Sequence, residues 1–222
     1  MASFCGLGGL LRGGCYGALI ELGNGLSGSC DTAVSEFSEF WIIRHGEPEG
    51  AGAYLGRGSN PPLSAEGGRQ ALRLAARIHR EAPGVIYTSP LKRAVETITP
   101  VSAALGLEPV IAEDLAELDF GEWEGLRYEQ IHRRDARRYE RWLANPWRTA
   151  PPGGETYADL SRRVLGCIRG LLKRYGGQRV LASTHAGPIR AVLMEAYGLT
   201  VLESLAVQVG YADLFRLDLN IV

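Results

Sequence analysis

The sequence has little net charge and no long apolar run, and each absence excludes a class of partner. Lys and Arg together number 24 against 25 Asp and Glu, a formal net charge of −1. No overall basic field would therefore draw the protein to nucleic acid or to an anionic membrane. No apolar run reaches the roughly 18 residues that a membrane span needs. We expect neither nucleic acid nor a membrane as partner, and any anionic ligand must be bound by a local cluster of cations.

The cysteines are too few and too scattered for a disulfide scaffold or a zinc site. Three of the four lie in the first 30 residues, Cys167 stands alone, and no C-x-x-C pair occurs. Neither His79 nor His132 has the spacing from a cysteine that zinc ligands show. We therefore expect free thiols in a reducing compartment, which predicts a cytoplasmic protein.

Composition and patterning divide the chain into two unequal parts. Apolar residues make up 45% and charged residues 22%, values typical of a folded domain rather than a disordered or fibrous chain. Residues 1–38 are rich in Gly, Ser and Cys and show neither helical nor strand periodicity. We expect residues 1–38 to be a poorly ordered tail and residues 39–222 to form one domain.

From Phe40 onward, strand and helix patterns alternate. Short apolar runs predict buried strands at Phe40–Ile43, Gly84–Thr88, Pro109–Ile111 and Arg179–Thr184. Helices are predicted from Ser64 to about Arg80 with Leu72 on the buried face, from Pro90 with a kink or break at Pro100, over Tyr128–Leu143 and Thr156–Tyr175, and from Gly187 to Gly198. Residues 205–209 and 212–217 alternate like a hairpin. The order predicts an α/β three-layer sandwich with a mainly parallel sheet flanked by helices.

Basic residues follow three of the predicted strands. Arg44 and His45 follow the first strand, Arg93 lies soon after the second, and His185 follows the fourth. Ligands of parallel sheets gather at the carboxyl ends of the strands. Guanidinium groups match phosphate oxygens, and the glycine close after each histidine lets a ligand approach the backbone. These residues predict a compact anion pocket at one edge of the sheet.

Six segments, in order, resemble the histidine phosphatase superfamily, which has the phosphoglycerate mutase-like fold. They are Arg44–Glu47, Tyr54–Arg57 with Pro62–Gly67, Thr88–Thr97, Leu115–Gly125, Pro152–Thr156 and Ser183–Gly187. An Arg-His-Gly triplet alone would be weak support. Six segments in the family's order, spread over almost all of residues 40–222, are specific.

The resemblance implies a role for each basic residue of the pocket. His45 would attack phosphorus as a neutral imidazole and carry a phosphohistidine intermediate, its other nitrogen donating to a nearby backbone carbonyl. Arg44, Arg93 and His185 would hold the phosphoryl oxygens, with His185 most effective when protonated. These are four of the five groups expected to carry the chemistry.

The fifth is Glu117, which the resemblance makes the general acid and base. One carboxyl would protonate the leaving alkoxide and later take a proton from water. Glu113 is the alternative if the motif is misaligned, but the Asp-Phe-Gly that follows Glu117 favours the first assignment. Glu155 would either orient an arginine or serve only as a carboxylate at a helix N-terminus.

Three further residues are expected to contact substrate: Arg57, Asn60 and Ala186. The loop that carries Arg57 and Asn60 departs from the family, because the chain reads Ser59-Asn60-Pro61-Pro62-Leu63, without the Asp that the family often has two residues before the Pro-Leu pair. Pro48–Gly50 replaces a stretch in which phosphoglycerate mutases usually have Asn. Both departures disfavour a mutase.

The resemblance implies a metal-independent phosphomonoester hydrolase that needs no cofactor and acts on a small phosphorylated metabolite. The segments His45–Pro48 and Tyr54–Arg57 resemble the alpha-ribazole phosphatase-like, broad-specificity branch, so alpha-ribazole phosphate is one candidate substrate. The alternatives are a phosphoglycerate mutase-type transferase and a catalytically silent module that binds phospho-ligands. A homodimer is an assembly that the sequence leaves open.

Overall fold

The computed structural model describes residues 39–78 and 83–218 of the chain. Its strands are Glu39–Arg44 (β1), Val85–Thr88 (β2), Val110–Ile111 (β3), Val180–Thr184 (β4) and Leu214–Asp218 (β5). Its α-helices are Ala65–Ile78 (α1), Lys92–Leu105 (α2), Tyr128–Ala144 (α3), Tyr157–Arg174 (α4), Ala186–Tyr197 (α5) and Val201–Ala206 (α6). Short 3₁₀ turns span Glu113–Leu115 and Gly121–Trp123. The predicted tail, residues 1–38, lies outside the described residues, so the division at residue 38 stays a prediction.

The five strands form one sheet in the order β3-β2-β4-β1-β5. β1, β2, β3 and β4 run parallel, and β5 pairs antiparallel with β1. Every residue of β4 is buried, and only the two ends of β1 reach intermediate exposure. Continuous apolar runs are what strands covered on both faces require. The predicted mainly parallel sheet is confirmed.

Alternate residues of β1 point into two separate hydrophobic layers. Phe40 and Ile42 pack in the cluster that contains much of α4 and α5, whereas Trp41 and Ile43 pack in the cluster formed with α1 and α2. This follows from the two-residue period of a strand. Helices therefore cover both faces of the sheet, and the α/β three-layer sandwich is confirmed.

Two details of the predicted helices are wrong. The buried face of α1 is formed by Gly67, Ala71, Leu74, Ala75 and Ile78, while Leu72 is 64% exposed. The small residues allow this face to pack closely, since a Cβ on Gly67 would lie only 2.1 Å from the Glu47 carbonyl oxygen. The break predicted at Pro100 is also absent, because α2 continues through it from Lys92 to Leu105.

The predicted C-terminal hairpin is wrong as well. Residues 201–206 form α6, and only β5 is a strand, paired with β1 instead of its own predecessor. Thr200 and Glu203 make a capping box at the start of α6, where Thr200 Oγ1 accepts from the Glu203 N–H at 3.3 Å. That Thr-x-x-Glu spacing is the signal in the sequence that a helix begins here.

Candidate active site

His45 follows β1 directly and is held as a neutral imidazole. Its Nδ1 lies 2.7 Å from the Gly46 carbonyl oxygen. A carbonyl only accepts, so Nδ1 carries the proton and Nε2 keeps a free lone pair. Burial, together with the charges of Arg93 and Arg44, lowers the pKa of His45 to about 3. The ring is therefore neutral near pH 7, with the hydrogen bond to backbone that the sequence predicted.

The peptide group that orients His45 is itself held from two sides. Gly46 contributes the carbonyl, and the N–H of the same peptide group, that of Glu47, donates to Gln70 Oε1 at 2.8 Å. The preceding N–H, that of Gly46, donates to Thr97 Oγ1 at 2.8 Å. Gln70 and Thr97 therefore help to fix the ring of His45. Neither was singled out from the sequence, because each lies inside an ordinary helical pattern.

Arg93 is fully buried and tied to the loop of residues 55–59. Its Nη1 donates to the Ser59 carbonyl at 2.7 Å, and its Nη2 donates to the carbonyls of Leu55 at 2.9 Å and Gly56 at 3.0 Å. Glu124 holds the same loop by accepting from the Gly56 N–H at 2.9 Å and from the Ser59 hydroxyl. Within the part of the chain that the structure describes, Arg93 Nε has no hydrogen-bond partner.

Arg44 is the second guanidinium, and its surroundings come from the turn before β5. Its Nη1 donates to the Val209 carbonyl, and its Cζ lies 4.0 Å from the centroid of the Tyr211 ring. The Tyr211 ring centroid is also 5.8 Å from that of His45. Ala212 has a φ of 57°, a conformation costly for a side chain, and its N–H faces the carbonyls of Arg44 at 3.1 Å and His45 at 3.2 Å. Tyr211 was not among the site residues predicted from the sequence.

His185 lies beside His45, with 5.0 Å between the ring centroids, and is completely buried. Its Nε2 is 2.7 Å from Ser89 Oγ, and its Nδ1 has no partner among the described residues. Burial and then the charge of Arg93 hold the pKa of His185 well below its usual range. This environment therefore disfavours the protonated form, in which His185 would be most effective. If Ser89 donates its hydroxyl proton to Nε2, Nδ1–H of the neutral ring remains a donor.

Three buried side-chain nitrogens near His45 are unpartnered within residues 39–78 and 83–218. They are Arg44 Nε, Arg93 Nε and His185 Nδ1, and they come from β1, α2 and the start of α5. Buried donors of native proteins are nearly always paired. An anion with several oxygens would complement the two guanidinium groups, because charge-assisted hydrogen bonds to such oxygens are strong. The anion pocket that the strand ends predict stays a prediction, and these nitrogens are the groups that would line it.

Glu117 lies at the same edge of the sheet and is 8% exposed. Its Oε1 accepts from the N–H of Leu118 at 2.9 Å and of Gly187 at 3.0 Å, which leaves Oε2 as the freer oxygen. A Cβ on Gly187 would lie 2.2 Å from Oε1, so this approach requires glycine. The alternative, Glu113, is exposed. The structure places Glu117, and not Glu113, beside the start of α5.

Glu155 pairs with an arginine. Its two oxygens accept from Nε and Nη2 of Arg163. The side chain of Glu155 is 15% exposed and that of Arg163 is 14% exposed. Of the two interpretations that the sequence allowed, the one in which Glu155 orients an arginine matches the structure. Arg163 itself was not singled out, since α4 shows only an ordinary amphipathic pattern.

The three remaining candidates lie at the margin of this cluster. Arg57 is exposed, and Asn60 is exposed with its Oδ1 accepting from the Lys92 N–H at 2.7 Å at the start of α2. Ala186 is the first residue of α5, next to His185. Asn60 therefore has a structural contact of its own, and the substrate contacts of all three residues stay predictions.

The described residues contain neither a cluster suited to a metal ion nor a helix that could span a membrane. No cluster of three or more His, Cys, Asp or Glu side chains suited to a metal ion occurs in residues 39–78 and 83–218. Within the same residues, no helix is long and apolar enough to cross a membrane.

The fold and the site together define a family. The histidine phosphatase superfamily (branch 1) matches residues 40–220, and the chain belongs to this superfamily. The crystal structure of the alpha-ribazole phosphatase from Shigella flexneri is similar, with a TM-score of 0.75 and 27% identity over 82% of this chain and 91% of that one.

Curated relatives carry both phosphatase and mutase names. A bifunctional protein of Mycobacterium tuberculosis is 36% identical over 81% of this chain, which spans only 47% of that relative, about half its length. Phosphoserine phosphatase 1 of Hydrogenobacter thermophilus is 34% identical over 71% of this chain and 75% of its own. A 2,3-bisphosphoglycerate-dependent phosphoglycerate mutase of Methylobacterium radiotolerans is 34% identical over 80% of this chain and 88% of its own.

Proposed function

We propose that this chain is a metal-independent phosphomonoester hydrolase that acts on a small phosphorylated metabolite through phosphohistidine at His45. One observation carries the proposal: two unpartnered buried guanidinium donors, on Arg44 and Arg93, and the unpartnered Nδ1 of His185 lie near a neutral imidazole whose Nε2 keeps its lone pair. Positioning and charge neutralisation are most of what phosphoryl transfer requires of a protein. The phosphatase names among the relatives support the same reaction class.

In the first step, the lone pair of His45 Nε2 forms a bond to phosphorus and the bond from phosphorus to the ester oxygen breaks. The electron pair of the broken bond stays on the ester oxygen, which takes a proton from Glu117 and leaves as the alcohol. The donors on Arg44, Arg93 and His185 bind the phosphoryl oxygens on which charge accumulates. Glu117 is left as the carboxylate.

In the second step, water replaces the departed alcohol. Glu117 takes a proton from the water as its oxygen bonds to phosphorus, and the bond from phosphorus to His45 Nε2 breaks. The electron pair returns to the imidazole, and inorganic phosphate leaves. One ester and one water give one alcohol and one phosphate, with the protein restored.

The test is to trap the intermediate. With p-nitrophenyl phosphate, Glu117→Gln should complete the first step, since the nitrophenolate leaves without a proton, but hydrolyse the intermediate slowly. We expect a burst of nitrophenol and, after an alkaline quench, a phosphoryl group on the peptide that contains His45. EDTA should change neither result. A label on another residue, or activity lost on chelation and restored by a divalent ion, would reject the mechanism.

Transfer to a second acceptor is the alternative that one observation favours. His45 is only 4% exposed, and a shielded phosphohistidine can be handed back to an organic hydroxyl instead of to water. A screen should therefore compare phosphoserine, alpha-ribazole phosphate and 3-phosphoglycerate and measure both free phosphate and isomerised ester. A hydrolase releases phosphate, a mutase yields the isomer, and a silent binding module does neither.

A further inference from the structure

The side chain of Arg163 encloses the segment that carries Glu117. From α4, its Nη1 donates to the carbonyls of Asp114 at 2.7 Å and Ala116 at 2.8 Å, and its Nη2 donates to the carbonyl of Glu117 itself at 2.9 Å. The remaining donors go to Glu155, at 3.1 Å from Nε and 2.5 Å from Nη2. Arg163 thus ties the main chain before and at Glu117 to a single planar group.

Glu155 completes the enclosure on the other side of Glu117. Its Oε1 accepts from the Asp119 N–H at 3.0 Å, and its own N–H donates to the Asp119 carbonyl at 3.0 Å. The pair of Glu155 and Arg163 therefore contacts the backbone on both sides of Glu117. It does so in a place where both side chains are largely withdrawn from solvent.

The segment needs such support because little regular structure holds it. Residues 113–119 contain one 3₁₀ turn of three residues, Glu113–Leu115, and neither an α-helix nor a strand. A second anchor is Thr184, whose hydroxyl donates to the Leu115 carbonyl at 2.6 Å. Without the side-chain contacts, the backbone that aims the carboxyl of Glu117 would have few constraints.

We infer that Arg163, oriented by Glu155, is the positioning residue for the general acid Glu117; this inference rests on the function proposed above. Proton transfer requires the carboxyl within hydrogen-bond reach of the ester oxygen, and small displacements reduce the rate strongly. Lysine cannot replace the planar fork that reaches three carbonyls and both carboxylate oxygens. Arg163 acts through the main chain of Glu117 and has no place in the reaction itself.

Leaving-group dependence separates this role from a general structural one. Nitrophenolate departs without a proton, whereas the alkoxide of an alkyl ester needs one. Loss of positioning should therefore lower kcat/KM, which reports the first step, far more for alkyl phosphates than for aryl phosphates. Hydrolysis of the phosphohistidine is common to both esters and does not enter kcat/KM. Global loosening of the fold would lower kcat/KM for both esters alike.

The experiment uses the full chain with Arg163→Lys, Glu155→Gln and the control Arg162→Met, assayed on glycerol phosphate and p-nitrophenyl phosphate. Arg162 is the neighbour on α4, 74% exposed and paired at the surface with Asp159. We expect Arg163→Lys to lower kcat/KM on the alkyl ester by on the order of 10²-fold, the lower end of general acid catalysis, and kcat/KM on the aryl ester by less than about threefold. Glu155→Gln should lower the two rates with the same selectivity, and Arg162→Met should change neither rate.

The double variant of Arg163→Lys and Glu117→Gln gives the decisive comparison. Once the acid is absent, Arg163→Lys should cause little further loss on the alkyl ester. Equal losses on both esters, or additive losses in the double variant, would overturn the positioning role. If Arg163→Lys does not fold, Glu155→Gln alone carries the comparison. A wild-type chain inactive on both esters would instead reject the proposed function.

Discussion

The two sides of the site are built by different means. The nucleophile side, residues 44–46 with Arg93 and His185, follows the ends of regular elements, and β1 and β4 pair in parallel with Arg44 opposite Thr184. The proposed acid side, residues 113–119, is irregular chain held by Arg163 of α4 and by Glu155 just before that helix. Sheet hydrogen bonding fixes the first side, whereas a largely buried ion pair and the close approach of Gly187 fix the second. The comparison teaches that the acid can be displaced while the anion pocket stays intact.

The largest effect is expected on the nucleophile side. His45→Asn removes the attacking nitrogen, so both alkyl and aryl esters should lose at least about 10⁴-fold in kcat, with no dependence on the leaving group. Steady-state rates and a circular dichroism spectrum check this. The control is His132→Asn, an exposed histidine on α3. Near-normal turnover by the folded His45 variant would contradict the assignment.

A smaller and selective effect is expected on the acid side. Gly187→Ala adds a Cβ that would lie only 2.2 Å from Glu117 Oε1, so the carboxylate must move. Because kcat/KM reports the first step, it should fall by roughly 10²-fold for alkyl phosphates and only slightly for aryl phosphates. Gly170→Ala on α4 is the matched control, since nothing lies within 4 Å of its added Cβ. Equal slowing of both esters would remove the distinction between the two sides.

The smallest effect concerns stability between pH 5 and 7 and involves the two histidines of the nucleophile side. The folded-state pKa values of His45 and His185 lie below the unfolded value of 6.5, so the unfolded chain binds more protons. Stability is therefore complete above pH 6.5 and falls with decreasing pH, by about 1.4 kcal/mol per pH unit for each histidine. Urea midpoints between pH 5 and 7 measure the slope. His45→Asn should reduce it, and an unchanged slope would show that His45 does not contribute.

The same contrast explains what the sequence could predict. Buried strands appear as apolar runs, so Arg44, His45 and His185 could be placed at one edge by topology alone. Tyr211 could not, because its position depends on β5 pairing antiparallel with β1, which brings the start of β5 to the same edge. The sequence pattern for that region favoured a hairpin, although the Thr-x-x-Glu signal of α6 was present.

Arg163 shows a second limit of sequence reasoning. Glu117 was located only because its segment resembles a family motif, and its support lies 46 residues further along the chain. Long-range side-chain contacts leave no periodic trace in a sequence. The buried face of α1 was predicted wrongly for a related reason, since the close backbone approach at Gly67 turns that side of the helix inward and leaves Leu72 exposed.

The turn before β5 has a consequence for protein synthesis. The Arg44 N–H donates to the Asp213 carbonyl at 3.0 Å, and the side chain of Arg44 donates to the carbonyl of Val209, 165 residues further along the chain. While residues 209–218 remain inside the ribosomal exit tunnel, a nascent chain has His45 but not the backbone that seats the adjacent guanidinium. The proposed active site is therefore complete only after this region has been translated and has left the tunnel.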